Sequence, residues 1–104
     1  MTRIYIAGPM TGLPEFNYPA FRLAEIRLRE HGFNVLNPVD AEKFNDTGKP
    51  QTWDWYMRHA LRMVLAADAL ALLDGWEVSK GATLEVHVAS ALKLDVRPLA
   101  GWLS

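Results

Sequence analysis

The chain has 104 residues, half of them apolar and 22% charged, with a formal net charge of −1, which is the make-up of one globular domain, residues 1–104. Its 11 basic and 12 acidic residues form no basic run, so duplex nucleic acid is excluded as an expected partner; the lack of cysteine excludes disulfides, metal thiolates and a thiol nucleophile. No apolar stretch approaches the ~20 residues that span a bilayer, and the first apolar run is too short for a signal peptide. The expected location is therefore the cytoplasm, with no membrane partner.

Arg3 to Ala7 is a short β-rich apolar run that ends at Gly8-Pro9, the pattern of a buried first strand. Two glycines and two prolines then make Gly8 to Pro14 a loop. Asn17 is placed to cap the next helix, with Pro19 tolerated in its first turn. Phe21, Ala24 and Leu28 share one face of that helix, and Gly32 supplies its stop. Phe33 to Leu36 is a second short strand closed by Asn37-Pro38. Asp40 to Pro50 is polar and reads as a long loop, with a helical turn near Ala41-Glu42-Lys43 and turn chemistry at Asn45 to Gly48. A second main helix is expected from Thr52 or Trp53 to Ala67. Ala69 to Leu73 is a continuous apolar run, as in a central strand covered on both faces. After the loop Asp74 to Glu77, a helix is expected over about Gly81 to Leu92 and a last strand over Val96 to Leu99.

The alternation of strand and helix predicts an α/β fold: a small parallel sheet of about four strands, right-handed crossovers and helices on both faces. Ligands of such sheets bind beyond the carboxyl ends of the strands. Here that edge carries Gly8 to Leu13, Asn37-Pro38 and Asp74 to Gly81. The first loop lacks G-x-G-x-x-G spacing and no P-loop lysine follows, so dinucleotide and P-loop readings fail. His31, His59 and His87 have no metal-ligand spacing, and neither a metal nor another cofactor is expected.

The most informative segment is Ser79-Lys80-Gly81-Ala82-Thr83-Leu84-Glu85. Ser79 and Gly81 stand at a helix N-terminus, where free N–H groups and the helix dipole favour an anion. Six residues of helix rise cover about 9 Å, comparable to the reach from a 5′-phosphate to the anomeric carbon of a nucleotide. A carboxylate at Glu85 can attack that carbon and form a glycosyl-enzyme ester. The plain structural reading of a glutamate on a helix, a solvated residue, stands beside this one. Asp68 reads as a residue that fixes a helix-to-strand turn. Trp76 can stack on a base, close its loop over the core, or lie in a subunit interface. Trp53, Trp55 and Tyr56 are spaced too tightly for one helix face, which favours a homo-oligomer, dimer or higher.

Four features together resemble the nucleoside 2-deoxyribosyltransferase-like superfamily: Ile4-Tyr5-Ile6-Ala7-Gly8-Pro9-Met10, Ala67 to Leu73, Gly75-Trp76, and Ser79-x-Gly81-Ala82-x-x-Glu85-x-x-x-Ala89. The resemblance covers the whole chain and extends to the family's short phage and bacterial members. It implies a three-layer Rossmann- or flavodoxin-like fold and an N-glycosidic-bond enzyme, hydrolase or deoxyribosyltransferase, for a nucleotide or nucleoside. In such families the glutamate at the position of Glu85 is the nucleophile and the tyrosine matching Tyr5 orients it. The implied substrate-binding residues are Gly8, Pro9, Met10, Gly12, Trp76, Ser79 and Gly81. A serine at Ser79 marks the branch that hydrolyses deoxynucleoside 5′-monophosphates, whereas the base-exchanging branch has aspartate there. That phosphate-binding branch also has an arginine around Met10-Thr11-Gly12, absent here. Both branches carry an aspartate that serves the nucleobase, eight residues before Asp68, and this chain has Ala60 at that place. Asp54, His59 and Asp74 are the candidate substitutes. The alternative function is a non-catalytic nucleotide-binding domain, a sensor or sink.

Overall fold

The computed structural model describes residues 1–104. Four strands, β1 (Arg3–Ala7), β2 (Asn34–Leu36), β3 (Ala69–Leu72) and β4 (Asp95–Pro98), form one sheet in the order β2-β1-β3-β4. Every pairing is parallel, with Tyr5 opposite Leu36 on one side and Leu70 on the other. The helices are α1 (Tyr18–Glu30), α2 (Trp53–Ala66), α3 (Lys80–Ala91) and a short α4 (Leu99–Leu103).

Strand side chains alternate between faces, and each face acquires its own core. Ile4 and Ile6 of β1 and Ala69 and Ala71 of β3 join Phe21, Ala24 and Leu28 of α1. Tyr5, Ala7, Leu70 and Leu72 point the other way, onto Met57, Ala60 and Val64 of α2 and Ala89 of α3. Because β1 and β3 are covered on both faces, both are apolar throughout their buried length. The chain leaves β1 toward β2 and returns to the other side of β1 as β3, so β1 and β3 flank the topological switch point where such sheets hold ligands.

The structure modifies several expectations. Asn17 does not cap α1: it has φ of 61° and makes no cap hydrogen bond. Its side-chain amide instead donates to the Pro9 carbonyl at 3.0 Å, tying the entrance of α1 to the loop after β1. Glu15 and Phe16 are also left-handed, with φ of 52° and 53°, a conformation that costs an L-residue roughly 1–2 kcal/mol. The polar stretch after β2 contains a 3₁₀ helix, Pro38–Phe44, longer than the single turn expected. Asn37, 1% exposed, starts it: its amide donates to Phe21 O and Glu25 Oε1, and its oxygen accepts from Val39 N. Helix α4 was not foreseen. It packs beside α1 on the same face of the sheet, with the Trp102 indole N–H donating to Leu70 O at 2.9 Å and the ring packed on Phe33. Asp68 fixes the start of β1, accepting from Arg3 N at 2.9 Å.

The β1 and β3 ends approach closely at Gly8, where a Cβ would lie 2.8 Å from Leu73 Cβ. Neither atom can rotate away, since each is fixed by its own backbone. Gly8→Ala should therefore cost about 1–3 kcal/mol, read as a lower midpoint in urea unfolding. An unchanged midpoint would show that the strand ends are freer than their packing indicates.

Candidate functional site

The carboxyl edge of the sheet opens into a pocket of about 640 Å³. Its floor is built where α3 meets β1. Ser79 caps α3, its hydroxyl oxygen accepting from Ala82 N at 3.1 Å, which leaves the hydroxyl hydrogen to donate outward. Ser79, Gly81, Ala82 and Glu85 all line the cavity from this helix. Gly81 brings the α3 backbone against α2, since a Cβ there would lie 3.2 Å from the Met57 sulfur.

Glu85 is 5% exposed, one of two buried polar residues in the chain. The Tyr5 hydroxyl donates to its Oε2 at 2.6 Å. Burial favours the neutral acid and pushes the Glu85 carboxyl up to about 7, against a smaller downward pull from the Tyr5 hydrogen bond. Tyr5 lies wholly beneath the pocket, at 0% exposure. Burial first, then the Glu85 charge and the hydrogen bond, raise its phenol well above the usual tyrosine range, so it stays a donor. The pair presents a carboxylate half-ionised near neutrality, oriented by a group that does not itself reach the cavity.

The expected site residues separate into two groups. Gly8, Met10, Ser79, Gly81 and Glu85 line the pocket. Pro9, Gly12 and Trp76 are not among its lining residues. Pro9 faces Gly75, whose φ of 87° needs a glycine and where a Cβ would lie 3.2 Å from the proline ring. Trp76 packs on the core between the sheet and α2 and α3. Ala60 lines the cavity, whereas Asp54, His59 and Asp74 do not.

Sequence reasoning missed the opposite wall. Tyr18, Glu42, Asn45, Gln51 and Tyr56 face the cavity across from α3. The loop after the 3₁₀ helix is knitted by its own side chains: Asn45 Nδ2 donates to Lys49 O, Thr47 Oγ1 to Asn45 Oδ1, and Gln51 Nε2 to Thr47 Oγ1. A polar stretch so bonded is a built wall, and the one legible signal was its density of Asn, Asp, Thr and Gln. Outside it, Phe44 stacks on His59 and Trp55 packs on both His59 and Tyr56, so part of the aromatic surface on α2 is covered within the chain. No three His, Cys, Asp or Glu side chains are grouped to hold a metal ion, and no helix is long and apolar enough to cross a membrane.

Solved structures share this fold. The 2-desoxiribosyltransferase from Leishmania mexicana matches at 20% identity with a TM-score of 0.69, over 94% of this chain and 63% of that one. The 2-deoxyribosyltransferase from Bacillus psychrosaccharolyticus matches at 22% identity with a TM-score of 0.64, over 90% of this chain and 69% of that one. A conserved protein from Enterococcus faecalis V583 matches at 29% identity with a TM-score of 0.66, over 92% of this chain and 61% of that one. The chain thus spans under two thirds of the length of the Leishmania and Enterococcus proteins. No curated protein matches it. The architecture defines a three-layer α/β protein with the nucleoside 2-deoxyribosyltransferase-like fold. Within that class, the chain belongs to the family described as a domain of unknown function, DUF4406, whose profile covers residues 2–97.

Proposed function

We propose that the protein cleaves the N-glycosidic bond of a nucleotide or nucleoside, with Glu85 as nucleophile. The observation that carries this reading is the buried Glu85 carboxylate, held by Tyr5 at 2.6 Å on the floor of a nucleotide-sized cavity. A Glu85 oxygen bonds to C1′ as the C1′–N bond breaks, and the bonding pair leaves with the base, which takes up a proton. Water then cleaves the ester in a hydrolase, or a second base does so in a transferase. Ser79 and the free N–H groups at the start of α3 suit a 5′-phosphate. Exposed Phe44 and Trp53 support self-association as a dimer or higher oligomer. Incubation with a panel of nucleosides and 5′-monophosphates, with free base followed by chromatography, tests the reading. Release of base supports it, and none from any member refutes it.

One observation favours the second reading, a non-catalytic nucleotide-binding domain: Ala60 lines the cavity and has no proton to give a departing base. A positioned general acid contributes typically about 10²–10⁴-fold. Ala60→Asp should accordingly raise base release from slow natural substrates by at least about tenfold. Improvement confined to substrates whose leaving group needs no proton would contradict this role for position 60.

A further inference from the structure

We propose that Glu42 reads the base, selecting a purine edge that presents two adjacent N–H donors, the 2-amino-6-oxo edge of guanine. This rests on the nucleotide reading of the pocket. Apart from Glu85, Glu42 is the one carboxylate that lines the cavity. The buried Asn37 starts the 3₁₀ helix that carries it. Asn45 Nδ2 donates to its Oε1 at 2.8 Å and the Tyr56 hydroxyl to its Oε2 at 2.9 Å.

An ionised carboxylate has about four acceptor sites. The single Tyr56 hydroxyl hydrogen lies nearer Oε2 (2.9 Å) than Oε1 (3.3 Å), so beside Asn45 it leaves each oxygen with about one site. Glu42 thus turns a pair of acceptor oxygens toward the cavity. Burial and the Glu42 interactions raise the Tyr56 phenol, which keeps its proton on that bond.

Tyr56 and Ala60 stand four residues apart on α2, one turn along the same face. A nucleotide with its sugar over Glu85 and its phosphate at Ser79 directs its base away from α3, toward the wall of α2 and the 3₁₀ helix. There two parallel acceptors match N1–H and the 2-amino group of guanine. Adenine and cytosine present one amino group beside a ring nitrogen whose lone pair repels the carboxylate. Thymine and uracil present one N–H flanked by carbonyl oxygens. Hypoxanthine lacks only the amino group.

The test titrates the protein with the deoxynucleosides of guanine, hypoxanthine and thymine and their 5′-monophosphates. Charge-assisted bonds of this kind predict at least about tenfold tighter binding of the guanine compound than of its hypoxanthine counterpart. Glu42→Gln should remove that advantage, since its one oxygen can accept from N1–H only by turning its amide N–H group against the 2-amino group of guanine, while hypoxanthine, which has no amino group there, should change by less than about threefold. Equal affinities in the wild type, or a preference that survives in Glu42→Gln, overturn the assignment and leave the glycosidic reading standing. Failure of every compound to bind the wild-type protein overturns both. The comparison of guanine with hypoxanthine needs no variant, so it decides even if Glu42→Gln folds poorly.

Discussion

Replacing Glu85 by glutamine should lower turnover by several orders of magnitude while ligand binding survives. The side chain keeps its shape and an acceptor for the Tyr5 hydroxyl, but an amide oxygen is a poor nucleophile toward C1′. In the wild type only the ionised carboxylate attacks. With Glu85 near 7, kcat/KM should rise with pH through that value and level off above it. Tyr5 acts through Glu85 and has a positioning role. Tyr5→Phe removes the hydrogen bond that favours the carboxylate, so the rising limb should move to higher pH and the plateau should fall by less than in Glu85→Gln. Chromatographic rates across pH for the three proteins check this. Turnover retained in Glu85→Gln would end the covalent mechanism, and an unmoved limb in Tyr5→Phe would end the positioning role.

The same carboxylate should make the fold less stable as the solution becomes alkaline. Its folded value of about 7 lies above the ordinary 4.5, so folding favours the proton. The stabilising contribution is complete below about 4.5 and is lost as the pH rises through about 7. The raised value corresponds to about 3 kcal/mol for a group this buried. For a domain of this size that is on the order of 10 °C in melting temperature. Glutamine does not titrate, so the melting temperature of Glu85→Gln relative to the wild type should climb between about pH 5 and pH 8 by that amount. Taking the difference between the two proteins cancels every other titrating group they share. A constant difference across that range would mean that Glu85 is solvated, and would remove the physical basis of its raised value. A stabilising, inactivating substitution is also what a strained functional group predicts, because the site holds a charge where packing alone would hold none.

The resemblance carried by Tyr5, Ser79 and Glu85 anticipated the nucleoside 2-deoxyribosyltransferase-like fold, and at that level the solved structures bear it out. The candidate site was legible where its groups lie on one element. The Ser79-to-Glu85 spacing is a property of a single helix, and helix geometry converts sequence separation directly into distance. The opposite wall escaped notice because Glu42, Asn45 and Tyr56 belong to different elements joined by a loop. No periodicity relates residues across a loop, so their meeting depends on how the 3₁₀ helix and α2 pack.

By itself the sequence determined the number and parallel direction of the strands, and with them the edge at which a ligand can enter. Short apolar runs alternating with amphipathic helices leave few other solutions, because every buried backbone group must be paired and every apolar face covered. The boundaries of β1 and the capping of α3 by Ser79 follow from local chemistry that acts over a few residues. The tertiary structure alone decided that Tyr5 reaches Glu85 across 80 positions, that Asn17 ties a loop instead of capping a helix, and that Leu99–Leu103 forms α4. Each of those outcomes depends on a partner remote in the chain. The raised Glu85 carboxyl is the clearest case: its chemistry comes from burial, and burial exists only once β1, α2 and α3 have closed around it.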